Sequence, residues 1–143
     1  MEIPYFKLNE EGLNRFFGPL EASIMEAIWS ATNQATIKEI QERIKHDHDI
    51  SFNAVMTVMN RLVEKGHLLK IPHPTNKKIT YFIPVVTKEE FLRKHTGTVT
   101  QHLFKDFGDH AVAHMIDALD GVDMEMLQKL EQKITELKHR REP

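Results

Sequence analysis

Between Pro19 and Pro84 the apolar residues change period, and that change restricts the fold more than any other feature of the chain. Leu20, Ile24, Ala27, Ile28 and Ala31 recur at i, i+4, i+7, i+8 and i+11, the spacing of one helix face. Pro19 suits a first helical position, and Met25 and Trp29 widen the stripe, so a helix is expected over residues 19–31. Thr32, Asn33 and Gln34 read as a turn. Thr36 with Glu39 three residues on forms a capping box, opening a second helix through Ile37, Ile40 and Ile44 to about His46. Ser51 caps a third helix, which reaches Lys65 and stops at Gly66. The period then becomes extended: residues 68–71 and 79–83 are rich in β-branched or aromatic side chains and flank a loop of Pro, Asn and Lys.

Stepping 100° per residue along the third helix places Phe52, Val55, Met56, Met59, Leu62 and Val63 on one face. Asn53, Ala54, Thr57, Asn60, Arg61 and Glu64 fall on the other, an unusual face for solubility alone because it holds a single acid and begins with short side chains. Three helices followed by two strands around a basic loop predict a winged helix-turn-helix. The fold expected is mainly α with a small β-hairpin wing, followed by a helical dimerisation region. Its parts are an N-terminal extension over residues 1–17, a winged-helix domain over 18–86 and a dimerisation domain over 87–143.

Beyond Pro84, Thr87 and Glu90 form a second capping box, and the helix they open carries Phe91, Leu92, Val99, Leu103 and Phe104. Gly108-Asp109 restarts the chain into Val112, Met115, Ile116 and Leu119, and Gly121 ends that helix. Asp123 caps a last one, where Leu127, Leu130, Ile134 and Leu137 alternate spacings of three and four, a heptad seam. Some fifty residues of such helices cannot bury their own stripes. These eight residues, from Val112 to Leu137, are the expected dimer contacts.

Charge divides unevenly. The chain of 143 residues has net charge −2, yet residues 52–88 carry six basic side chains against the single acid Glu64, net +5. A basic island in an acidic chain is the footprint of a polyanion contact. A helix N-terminus fits the DNA major groove, so Ser51, Asn53, Ala54 and Thr57 are expected at phosphate and base edges, with Asn53 suited to adenine. Arg61 suits a phosphate or flanking guanine, Lys77 and Lys78 the backbone contacts of a wing, and Thr36 and Asn60 complete the candidate set.

Other classes find little support. Cysteine is absent, which removes disulfides and thiolate chemistry. There is no GxSxG, GxxxxGK[ST] or GxGxxG, so no enzyme is expected, and no cofactor. No stretch approaches the ~20 apolar residues of a membrane span, and the start, with Glu2, Glu10 and Glu11, does not read as a signal peptide, so a cytoplasmic location is expected. His110 and His114 are spaced i, i+4, but no metal motif surrounds them, and no metal site is assigned. Two alternatives remain: a ligand- or metal-sensing repressor using His102, His110 or His114, and a winged-helix docking module for another protein.

Gly18-Pro19-Leu20-Glu21-Ala22, with Met25-Glu26 and Trp29, resembles the opening of the BlaI/MecI-type penicillinase repressors. The run from Ser51 to Gly66, SFNAVMTVMNRLVEKG, resembles their third helix nearly position by position. The resemblance implies a homodimeric repressor that binds a double-stranded inverted-repeat operator and pairs through C-terminal helices. It places DNA contacts on Ser51, Asn53, Ala54, Met56, Thr57 and Arg61; the helical phasing sets Met56 at the core margin, and it is left out of the candidate set. Staphylococcal relatives are inactivated by a cut between asparagine and phenylalanine, where this chain has Val99-Thr100, and copper-responsive relatives sense through cysteines that this chain lacks. Neither signal carries over, and no upstream sensor or protease is identified.

Overall fold

Residues 6–31 and 34–142 are described by a computed structural model of the chain. It forms two compact units, Met1–Gly97 and Thr98–Pro143. Of the turn expected at residues 32–34, Thr32 and Asn33 lie outside the described residues.

The first unit holds α1 (Pro19–Ser30), α2 (Ile37–Arg43), α3 (Phe52–Glu64), β1 (Leu68–Pro72) and β2 (Thr80–Pro84). This is the order of a winged helix-turn-helix. The local signals act as their chemistry requires. The Glu39 N–H donates to Thr36 Oγ1 (3.2 Å), and the Thr36 N–H donates back to Glu39 Oε1 (3.2 Å), closing the capping box of α2. Ser51 Oγ accepts from the Ala54 N–H (3.1 Å) at the start of α3. Gly66 takes φ 83°, a left-handed conformation that ends α3 and that a side chain would resist. β1 and β2 pair antiparallel with Lys70 opposite Phe82. Ala35, between α1 and α2, exchanges two backbone hydrogen bonds with Phe82 (3.1 and 2.8 Å), so β2 is tied to the helices on its other edge.

Three expectations shift. α2 ends at Arg43 instead of His46, because the chain tightens there: the Lys45 N–H bonds Glu42 and the Asp47 N–H bonds Ile44, each three residues back. β2 starts at Thr80, since the Ile79 N–H turns inward to the Asn76 carbonyl (3.1 Å). The buried arc of α3 is Val55, Val58, Met59 and Leu62; Phe52, at the first helical position, lies 45% exposed, and Met56 and Val63 are half-buried. The phasing is thus rotated toward Val58. Asn53, Thr57 and Arg61 are exposed on the solvent side of the helix.

The core draws on every element: Ile24, Met25, Ile28, Ile40, Met59, Leu62, Leu68 and Phe82 are each at most 2% exposed. It also reaches beyond the residues expected. Phe17 and Phe91 are buried and stack (centroids 5.1 Å, 15°), with Trp29 and Phe16 against the same Phe91 ring at 5.4 and 5.8 Å. The Trp29 indole N–H donates to the Val86 carbonyl (3.0 Å). The first unit therefore extends to Gly97, past the boundary expected at residue 86, because Phe91 and His95 complete its core, and residues 16–17 belong to that core as well.

Two buried histidines, His67 and His95, sit in this aromatic cluster, with Phe91 4.3 Å from His95 and Phe17 5.0 Å from His67 between ring centroids. Neither His67 Nδ1 nor His95 Nε2 has a hydrogen-bond partner among the described residues. Burial, helped by the neighbouring His95, pushes the His67 imidazole down to about 4. Burial, with Lys94 nearby, also lowers His95. Both are neutral core residues at ordinary pH.

The helical run α4 (Lys88–Ala118) starts in the first unit and, in the second, leaves helical geometry at Gly108 (φ 9°, ψ −89°), so two helices meet end to end where the sequence restarts. A short turn at Leu119–Gly121 leads to α5 (Met124–Arg141), whose first turn is capped by Asp123 Oδ1 accepting from the Met126 N–H (2.8 Å). No described residue from 98 to 142 is buried.

Candidate nucleic-acid interface

α3 presents a line of side chains that the core does not use. Asn53, Thr57 and Arg61, four residues apart, share one exposed face, and Ser51 is exposed at its N-terminal end. Thr57 donates its hydroxyl proton to the Asn53 carbonyl (2.9 Å), and its oxygen can still accept a hydrogen bond. Ala54 is half-buried at the edge of this face, and Thr36, at the start of α2, is also half-buried. Asn60 departs from the set: it is half-buried, and its Oδ1 is enclosed without a partner among the described residues, so its amide does not face solvent as a whole.

The basic island sorts into two kinds of cation. Lys65 is paired to Glu21 (2.9 Å) and Lys88 to Glu26 (2.5 Å), both acids of α1. Arg61, Lys70, Lys77 and Lys78 are exposed and form no ion pair among the described residues. The positive charge left for an anionic partner therefore comes from α3 and the wing, the two elements that meet DNA in a winged helix. The wing tip is ordered by its own side chains. His73 Nδ1 accepts from the N–H groups of Thr75 (3.1 Å) and Asn76 (2.9 Å), and Asn76 Oδ1 accepts from the Lys78 N–H (3.0 Å). Asn76 two residues before Lys78 is a readable turn signal; a histidine in the same role has none.

The expected dimer residues lie in the second unit. Val112, Met115, Ile116, Ile134 and Leu137 are exposed, whereas Leu119, Leu127 and Leu130 are half-buried. His110 and His114 line one apolar groove of about 530 Å³ with Leu103, Phe104, Phe107 and Met115. Among the described residues no group of three metal-ligating side chains comes together. No helix among them is long and apolar enough to cross a membrane.

Fold and surface together define a winged-helix DNA-binding protein. The family model described as "Penicillinase repressor" matches residues 17–136, and the chain belongs to that family: it is a DNA-binding transcriptional repressor, not an enzyme. The Transcriptional regulator BlaI of Mycobacterium tuberculosis is 25% identical over 116 residues, covering 78% of this chain and 80% of that protein. Among solved structures, the Adhesin competence repressor AdcR of Streptococcus pyogenes overlaps 87% of this chain and 79% of its own, at 15% identity and TM-score 0.41. FabT of Streptococcus pneumoniae, in complex with DNA, overlaps 92% and 80%, at 17% identity and TM-score 0.41.

Proposed function

We propose that the protein acts in the cytoplasm as a homodimeric repressor that binds an inverted-repeat operator. In this reading α3 enters the major groove, Asn53 and Thr57 meet base edges, and Ser51 and Arg61 meet phosphates with Lys77 and Lys78 of the wing. The observation that carries it is the exposed line Asn53, Thr57 and Arg61 on a helix whose opposite side is wholly buried. Residues beyond Gly97 supply the pairing surface. Their support is the row of exposed apolar side chains there, which a single copy leaves in water. One reading head offers one short helix; two, held in register, match half-sites roughly 34–36 Å apart.

Binding of Asn53→Ala and Thr57→Ala to operator and to scrambled duplex, at matched salt, tests the assignment. Each variant is expected to lose about 1–3 kcal/mol of discrimination. Equal loss on both duplexes would reduce these residues to backbone contacts. A second reading, in which the histidines of the second unit sense a ligand, is favoured by His110 and His114 lining the same groove. Zinc titrated against operator binding decides it: a change of affinity that His114→Ala removes supports sensing, and no change excludes zinc.

A further inference from the structure

The wing tip is built to hold one shape. Besides the two bonds that His73 Nδ1 accepts from Thr75 and Asn76, the His73 N–H donates to the Ile79 carbonyl (3.1 Å) and the Ile79 N–H to the Asn76 carbonyl (3.1 Å). The imidazole is half-buried, its centroid 5.8 Å from the Tyr81 ring on β2, while residues 74–78 are exposed. Nδ1 thus serves as the acceptor for both N–H groups, a role the lone pair of an imidazole nitrogen can fill. An acceptor placed for the N–H groups two and three residues on is what asparagine or aspartate supplies in tight turns. Here histidine supplies it, and Asn76 repeats the device one step along, toward Lys78.

We propose that His73 is a positioning residue for DNA binding: by capping the wing turn it holds Lys77 and Lys78 where they meet the phosphate backbone. The proposal rests on the reading that the wing lysines contact DNA. Lys77 directly follows Asn76, whose N–H His73 fixes, and the next N–H, that of Lys78, is fixed by Asn76. Neither lysine is held by an ion pair among the described residues, so the backbone beneath them is what sets their place. A loop ordered before binding does not lose that freedom on binding, and affinity rises accordingly.

The test uses the full chain and a fluorescent duplex of mixed sequence, read by anisotropy at neutral pH and fixed salt. His73→Ala is expected to weaken binding roughly fivefold, with an unchanged melting temperature, since only loop ordering is lost. His73→Asn, which offers an oxygen to the same two N–H groups, is expected to restore most of the affinity. In a chain already carrying Lys77→Ala and Lys78→Ala, His73→Ala is expected to have no further effect. Wild-type affinity in His73→Ala, no rescue by His73→Asn, or an additive loss in the lysine-free background would each overturn the proposal. If the paired lysine substitution itself leaves binding unchanged, the wing reading fails and takes the proposal with it. A loss from the lysine pair beside an unaffected His73→Ala removes the positioning role alone.

Discussion

In the first unit Ile24, Ile40, Val55, Met59 and Leu62 are wholly enclosed by their own chain, and even Phe17 and Phe91, from outside the winged motif, are drawn into the core. In the second, Phe107, Ile116 and Met124 remain 58–68% exposed and no described residue is buried. Both units carry good helix caps and apolar stripes. What separates them is partners: α1, α2, α3 and the hairpin close over one another, whereas α5 has caps and a heptad seam but no buried residue. Local signals make helices; only a second apolar face makes a core. The first unit has that face within itself. The second buries no described residue, and in the proposed reading it finds that face in another copy.

The largest effect on this contrast should come from the closed core. Leu62→Ala leaves a cavity beneath α3 and should cost about 2–5 kcal/mol. The loss should not depend on protein concentration, as denaturant titrations at two concentrations would show. A concentration-dependent midpoint would mean that the first unit also relies on assembly.

The pH dependence of stability sharpens the same division. Because the folded His67 titrates near 4 and an ordinary imidazole near 6.5, the unfolded chain binds the extra proton between those values. Stability contributed by neutral His67 is complete above about 6.5 and lost as pH falls toward about 4, on the order of 3 kcal/mol in all. Trp29, the single tryptophan, reports on the first unit, so its fluorescence should follow this acid loss, and His67→Leu should flatten it. A flat profile for the unaltered protein would deny the buried neutral imidazole.

The smallest effect belongs to the exposed face. Arg61→Ala should change stability by no more than ~0.5 kcal/mol while weakening duplex binding. For one phosphate contact, the plot of log affinity against log salt should become shallower by roughly one unit. Unchanged affinity would remove Arg61 from the interface.

How far the sequence could be read follows the same contrast. The capping box of Thr36 and Glu39, the Ser51 cap and the Gly66 stop were legible because each depends on neighbours three or four residues away. The solvent face of α3 was legible from periodicity, with an error of phase that put Phe52 on the apolar face and left Val58 out of it. Long-range partners were not legible. Nothing near His67 or His95 announces that they meet Phe17 and Phe91, and Asn60, polar by type, turns its carbonyl inward. The wing lysines stood out by charge, but the imidazole that orders their turn has no compositional signature.

Sedimentation of Leu130→Glu beside the unaltered chain, with circular dichroism on both, tests most directly whether the second unit exists to pair two reading heads. Leu130 lies half-buried on the seam of α5, and in a dimer the substitution would set two like charges into buried surface, at high cost. The unaltered protein should sediment as a dimer at micromolar concentration. The variant should sediment as a monomer that keeps the helical signal of the first unit and binds operator on the order of 100-fold more weakly. A variant that remains dimeric would contradict the account, and place the pairing surface somewhere other than the seam of Leu127, Leu130, Ile134 and Leu137.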